Sequence, residues 1–150
     1  MKALRFFAAV FAGAILPLTL CAVELDTGGK SEAELNSEIV IRCQYQMGEF
    51  GSEAIDACVK DERKARELLA DYPDEVADIV KRCNRVMRKA GWSMIKNCSD
   101  RDIAALEALR EYPQQHTGAI EACFAELGRY GYDKVKRCAD ARIAEEGASE

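Results

Sequence analysis

Six of the seven cysteines fall on one lattice. Cys43 and Cys58, Cys83 and Cys98, and Cys123 and Cys138 form three pairs, fifteen residues apart within a pair and displaced by forty from one pair to the next. Self-similarity at such a period means like supersecondary units stacked on one another, each burying its apolar face against its neighbour. Other residues keep the same register: Met47, Met87 and Leu127; Gly51, Gly91 and Gly131; Ile55, Ile95 and Val135. The joins repeat too, since Leu69 with Tyr72-Pro73 returns as Leu109 with Tyr112-Pro113, and the third copy stops short of its own Tyr-Pro.

Within each unit the apolar period is helical. Ile39, Cys43 and Met47 are spaced by four, and Ile55, Cys58, Ala65, Leu69 and Tyr72 lie on one helical stripe, copied by Ile95, Cys98, Ala105, Leu109 and Tyr112. No strand-like alternation competes, and the intervening Ala, Glu, Lys and Arg favour helix. Ser31-Glu32-Ala33-Glu34 has the form of a capping box. The repeated glycines suit a left-handed residue ending a helix, and Pro73 and Pro113 suit the first position of the next.

Each unit is then a helical hairpin bent at its glycine, which accounts for the cysteine spacing. Cys43 lies eight residues before Gly51 and Cys58 seven after it, so the sulfurs stand level on antiparallel arms. Helices packed side by side bring facing Cα atoms to roughly 4–5 Å, within reach of a disulfide. The bridges expected are Cys43–Cys58, Cys83–Cys98 and Cys123–Cys138. The expected fold is all-α, three tandem 40-residue helical hairpins, each stapled by a disulfide, in a short α-solenoid. Its repeats span about 38–77, 78–117 and 118–150 within a domain of residues 31–150.

The first 22 residues read as a secretory signal peptide. Lys2 and Arg5 form a basic head, Phe6 to Leu20 is apolar, and the sequence then turns polar, with cleavage expected after Ala22. The apolar run is shorter than the roughly 20 residues needed to span a bilayer, so no stable membrane span is expected. Lipidation at Cys21 is disfavoured because Leu20 stands where a small residue is wanted. Residues 23–30 are expected to be a flexible segment, and the location to be periplasmic or secreted, an oxidising setting in which six evenly placed cysteines pair. The 26 acidic side chains outnumber the 21 basic ones, and loss of Lys2 and Arg5 with the leader deepens the imbalance. Such a chain repels phosphate backbones, so nucleic acid is not an expected partner.

Catalytic signatures are hard to find. Common zinc sites use close Cys-x-x-Cys pairs or Cys/His mixtures, whereas no two of these six cysteines are closer than fifteen residues and the chain has one histidine. Neither metal nor other cofactor is expected. The spacing also departs from redox dithiols. There is no Gly-x-Ser-x-Gly, His-Glu-x-x-His, phosphate loop or Rossmann glycine cluster. His116, three residues past Pro113, reads as a solvated surface residue. A cell-envelope glycosidase working with two carboxylates is the enzymatic alternative, because acids are plentiful, although no pair stands out.

Glycine at the bend, the Ala-x-x-x-Leu stretches Ala65–Leu69 and Ala105–Leu109, and one cysteine pair per unit resemble secreted, cysteine-rich Sel1-like repeat proteins of the tetratricopeptide class. The resemblance covers residues 31–146 in plan; the period and cysteine spacing are longer here. It implies a scaffold that binds other proteins, peptides or cell-wall fragments. Two surface features are candidates for such binding. Phe50, Trp92, Tyr130 and Tyr132 flank the repeat glycines and would line one edge of a stack, the alternative being that Phe50, Trp92 and Tyr132 fold inward as staples against the neighbouring repeat. Lys81, Arg82, Arg85, Arg88 and Lys89 form a basic run in an acidic chain, with Lys81, Arg85 and Arg88 on one face. Arg85 is the candidate there for an acidic peptide or an anionic lipid headgroup, the alternative being ion pairs with neighbouring acids. The expected function is that of an exported binding or adaptor protein, of inhibitor or immunity type, occupying a protein or peptide partner in the cell envelope or outside.

Overall fold

The computed structural model describes residue 23 and residues 25–148. The expected signal peptide, its expected cleavage point and Cys21 lie outside the described residues. Six α-helices occur among them: α1 (Glu32–Met47), α2 (Ser52–Ala70), α3 (Ala77–Met87), α4 (Trp92–Arg110), α5 (Thr117–Leu127) and α6 (Tyr132–Gly147). They pair as the three hairpins α1–α2, α3–α4 and α5–α6. Between hairpins the principal packing runs from α2 to α4 and from α4 to α6. The second helices thus form one continuous layer, and each first helix rests on its own partner.

Each hairpin carries its expected staple. Cys43–Cys58, Cys83–Cys98 and Cys123–Cys138 are all bonded, with Cα atoms 5.7, 5.7 and 5.8 Å apart. The first cysteine of each pair is fully buried. Closing a loop of this size contributes about 3 kcal/mol by chain entropy. Around the bridges, Ile39, Leu69, Val80 and Ile95 are sealed in a core that crosses the first two repeats, and Val135 and Ala139 build a smaller one in the third.

The expected capping box closes α1: Glu34 N–H donates to Ser31 Oγ at 3.3 Å, and Ser31 N–H donates to Glu34 Oε2 at 2.8 Å. At the bends the structure differs in detail from expectation. Gly51, Gly91 and Gly131 have φ of +91°, +112° and +108° with extended ψ, and they precede α2, α4 and α6 as N-caps rather than ending the helices before them. That backbone region is open essentially to glycine alone. Pro73 and Pro113 are extended and lead into 3-10 turns, Asp74–Val76 and Gln114–His116, before α3 and α5 begin. His116 closes the second of these turns.

Candidate functional site

The glycines sit where they do because of what faces them. Glu62 on α2 is buried; its Oε2 accepts from Trp92 N–H at 2.7 Å and its Oε1 from Ser93 N–H at 3.1 Å, while Arg42 on α1 donates to Oε2 at 2.8 Å. One repeat later, Asp102 on α4 accepts from Tyr132 N–H at 3.2 Å and Asp133 N–H at 3.1 Å and pairs with Arg82. A helix N-terminus leaves N–H groups without intrahelical partners and carries a partial positive charge, so a carboxylate there meets both needs. A Cβ at Gly91 would stand 2.6 Å from Glu62 Oε2, and one at Gly131 2.7 Å from Arg82 Cζ. Each joint is therefore a clasp of one arginine, one carboxylate and the next hairpin's glycine. The third repeat has Ala122 and Arg142 at the equivalent positions, and the device ends.

A second latch crosses the same joints. Tyr72 donates its hydroxyl to Asp100, which also pairs with Lys96; Tyr112 donates to Asp140, which pairs with Lys136. Burial, together with the bond to Asp100, pushes the Tyr72 phenol well above its ordinary value. Tyr112 is raised too, by its hydrogen bond to Asp140 and by burial. Asp140 is held below the usual carboxylate range by its bonds from Lys136 and Tyr112.

These joints decide the fate of the expected aromatic edge. Trp92, the first residue after Gly91, is only 7 % exposed and packs in the core with the Arg66 guanidinium 5.7 Å from its ring centre. Tyr132 is half-buried, its ring 6.0 Å from that of Phe124. Trp92 thus faces the preceding hairpin, and Tyr132 also packs against the core of the first two repeats. Phe50 and Tyr130 are exposed in the turns before Gly51 and Gly131, with Arg129 over the Tyr130 ring. The four aromatics therefore do not make one surface. In the basic run, Arg82 belongs to a clasp, while Lys81 and Arg85 remain exposed on α3 and Arg88 and Lys89 in the turn that follows it.

An open concave surface lies instead between α1 and α3. Beside the ends of these helices is a cleft of about 540 Å³ lined by Lys30, Glu38, Ile41, Arg42, Tyr45, Arg88 and Lys89. Ile41 is 62 % and Tyr45 91 % exposed, two large apolar groups one helical turn apart on α1 and turned away from its core stripe. Opposite them stand the cationic ends of Arg88 and Lys89. Further along, the same gap is filled by Val23 and residues 25–29. Val23 is 4 % exposed, Leu25 packs against the core, and Asn84 on α3 donates from Nδ2 to the Asp26 carbonyl at 2.9 Å. Arg88 approaches Asp26 Oδ2 at 3.5 Å and overlies Gly28 so closely that a side chain there would collide.

Of the aromatic candidates, then, only Phe50 and Tyr130 are presented to solvent. Arg85 is exposed with Lys81, Arg88 and Lys89, and the cleft joins Arg88 and Lys89 of the basic run to Ile41 and Tyr45, which the repeat pattern does not mark. The available signal was Ile41 and Tyr45, two bulky apolar residues on the otherwise polar side of α1. By class this is a disulfide-stapled array of helical hairpins with a mixed apolar and cationic cleft between its first and third helices. Compared with family models, with curated proteins and with solved structures, the chain matches none significantly.

Proposed function

We propose that this is an exported binding or adaptor protein, of inhibitor or immunity type, that engages a protein or peptide partner through the cleft between α1 and α3. The observation that carries the reading is the exposure of Ile41 and Tyr45 beside Arg88 and Lys89 in a concave site, since isolated exposed apolar residues are common but a hydrophobic pair facing cations in a cleft suits a ligand with both characters. The repeat plan supports it by analogy with Sel1-like scaffolds. A periplasmic or secreted location fits the three disulfides, which persist in oxidising compartments, and no helix among the described residues is long and apolar enough to cross a membrane.

The glycosidase alternative would require two carboxylates free to act on a sugar. The buried acids Glu62 and Asp102 are each engaged by an arginine and two backbone N–H groups, which favours a structural role for both. A photo-crosslinking residue at position 45, in the oxidised protein mixed with envelope extract, tests the reading. A discrete adduct that disappears when Ile41→Ser is added, with the melting temperature unchanged, supports it. Hydrolysis of purified cell wall by the wild-type protein, abolished by substituting an exposed carboxylate, would favour the enzyme.

A further inference from the structure

We infer that the gap between α1 and α3 is a cleft for an extended acidic peptide, and that Val23 and residues 25–29 are its resident occupant, displaced when the partner's segment arrives. This rests on the reading of the protein as a binding module and specifies the ligand of that same site. The resident segment displays the recognition chemistry. Val23 and Leu25 sink apolar side chains against the core, Asp26 presents its carboxylate to Arg88, and Gly28, at φ +66°, passes beneath the Arg88 guanidinium. The Asp26 side chain also accepts from Gly28 N–H at 2.8 Å, which sets the turn that carries the chain under Arg88. The ligand pattern is therefore two apolar residues flanking one position, then an acid, then a glycine two residues on.

Asn84 supplies the independent indication of a ligand. It is 3 % exposed and lies midway along the basic helix; its Nδ2 reads the Asp26 carbonyl, but its Oδ1 is buried with no hydrogen-bond partner among the described residues. A side-chain amide holds a donor and an acceptor side by side, the pattern that matches the carbonyl and N–H of an extended peptide backbone. The resident segment uses half of it. A ligand whose N–H also reaches Oδ1 gains a bond that the resident segment lacks, and this difference drives displacement. Charge favours the same occupant, since Lys81 lines one side of the seated segment and Arg88 and Lys89 the open end. Ile41 and Tyr45 extend the apolar floor beyond the resident residues, offering a longer ligand further contact. The repeat makes the site unique within the array: where the first gap has Asn84 and Arg88, the second has Phe124 and Gly128.

The test uses the full oxidised chain and a fluorescent synthetic peptide copying residues 23–29. Asp26→Arg sets like charge against Arg88 and should loosen the resident segment without touching the cleft. The peptide should bind this variant at least tenfold more tightly than wild type, and adding Arg88→Glu should abolish the gain. The inference is overturned if Asp26→Arg, with its helical signal intact, binds no better than wild type, or if Arg88→Glu leaves binding unchanged. A concentration-dependent dimer of Asp26→Arg would overturn it differently, by making a second copy the occupant. Should Asp26→Arg fail to fold, the wild-type chain decides: saturating peptide must speed amide exchange of residues 25–29 at least tenfold, and unchanged exchange sinks the proposal. Loss of the crosslinked adduct on Ile41→Ser, with no peptide effect in any of these measurements, would leave the binding-module reading standing and remove only the resident-segment inference.

Discussion

Gly51, Gly91 and Gly131 share a backbone conformation but not their surroundings. A Cβ at Gly91 or Gly131 meets the clasp at under 3 Å, whereas one at Gly51 meets nothing within 4 Å, since among the described residues no hairpin precedes its own. Gly51→Ala should therefore cost only backbone strain, about 1–3 kcal/mol, while Gly91→Ala adds a collision with a buried ion pair and should cost clearly more. Denaturant unfolding of the two variants checks this, and equal losses would mean that the clasp yields freely. Glu62→Ala should be comparably severe, about 3–5 kcal/mol, because it strands Arg42 and two helix N–H groups together. The residue following each glycine obeys the same logic, being Ser52 where there is nothing to pack against and Trp92 or Tyr132 where there is. That contrast was in the sequence. It does not decide between an exposed and a packed ring by itself, because a residue beside a bend glycine can face either way until the glycine is known to face the previous hairpin.

At the scale of helices, the hairpins and their staples were legible before any coordinates, since Ile39, Cys43 and Met47 fix a helical face and equal arms around Gly51 fix which sulfurs meet. The joints were not legible in the same way. A clasp takes Arg42 from one helix, Glu62 from the next and Gly91 from the following hairpin, and no local pattern links positions 20 and 29 residues apart. Only the repeat could have revealed it, through the arginine before each of the first two bridged pairs and the joint loss of Arg and acid at Ala122 and Arg142. The α4–α6 latch has a pH signature. Asp140 is depressed in the folded state, so its contribution is present above the ordinary carboxylate range and is lost as pH falls through its folded value. Tyr112 is raised, so its contribution is complete below about pH 10 and is lost as pH climbs toward its folded value. Asp140→Asn should flatten the acid side of a melting-temperature profile, and Tyr112→Phe should flatten part of the alkaline side. Replacing Cys83 and Cys98 together with serine should lower the melting temperature more than removing either terminal pair, because the middle hairpin serves two interfaces. Equal losses would mean that the hairpins melt independently.

Over the whole molecule the clasps give the array a direction. Its first hairpin offers a carboxylate without receiving one, its last receives without offering, and the middle one does both: Gly91 with the Trp92 and Ser93 N–H groups takes Glu62, while Arg82 and Asp102 reach forward to Gly131. The cleft was the least legible part of the sequence, since it arises from the gap between two first helices and from a segment whose composition suggested only a tether. The directionality makes residues 78–117 an interchangeable link. Copying that stretch in tandem would give each new joint a complete set of partners and lengthen the rod by one hairpin, with the two end pieces unchanged. Length in such a chain is a matter of counting links, and a lineage or a designer could alter its reach by duplication alone.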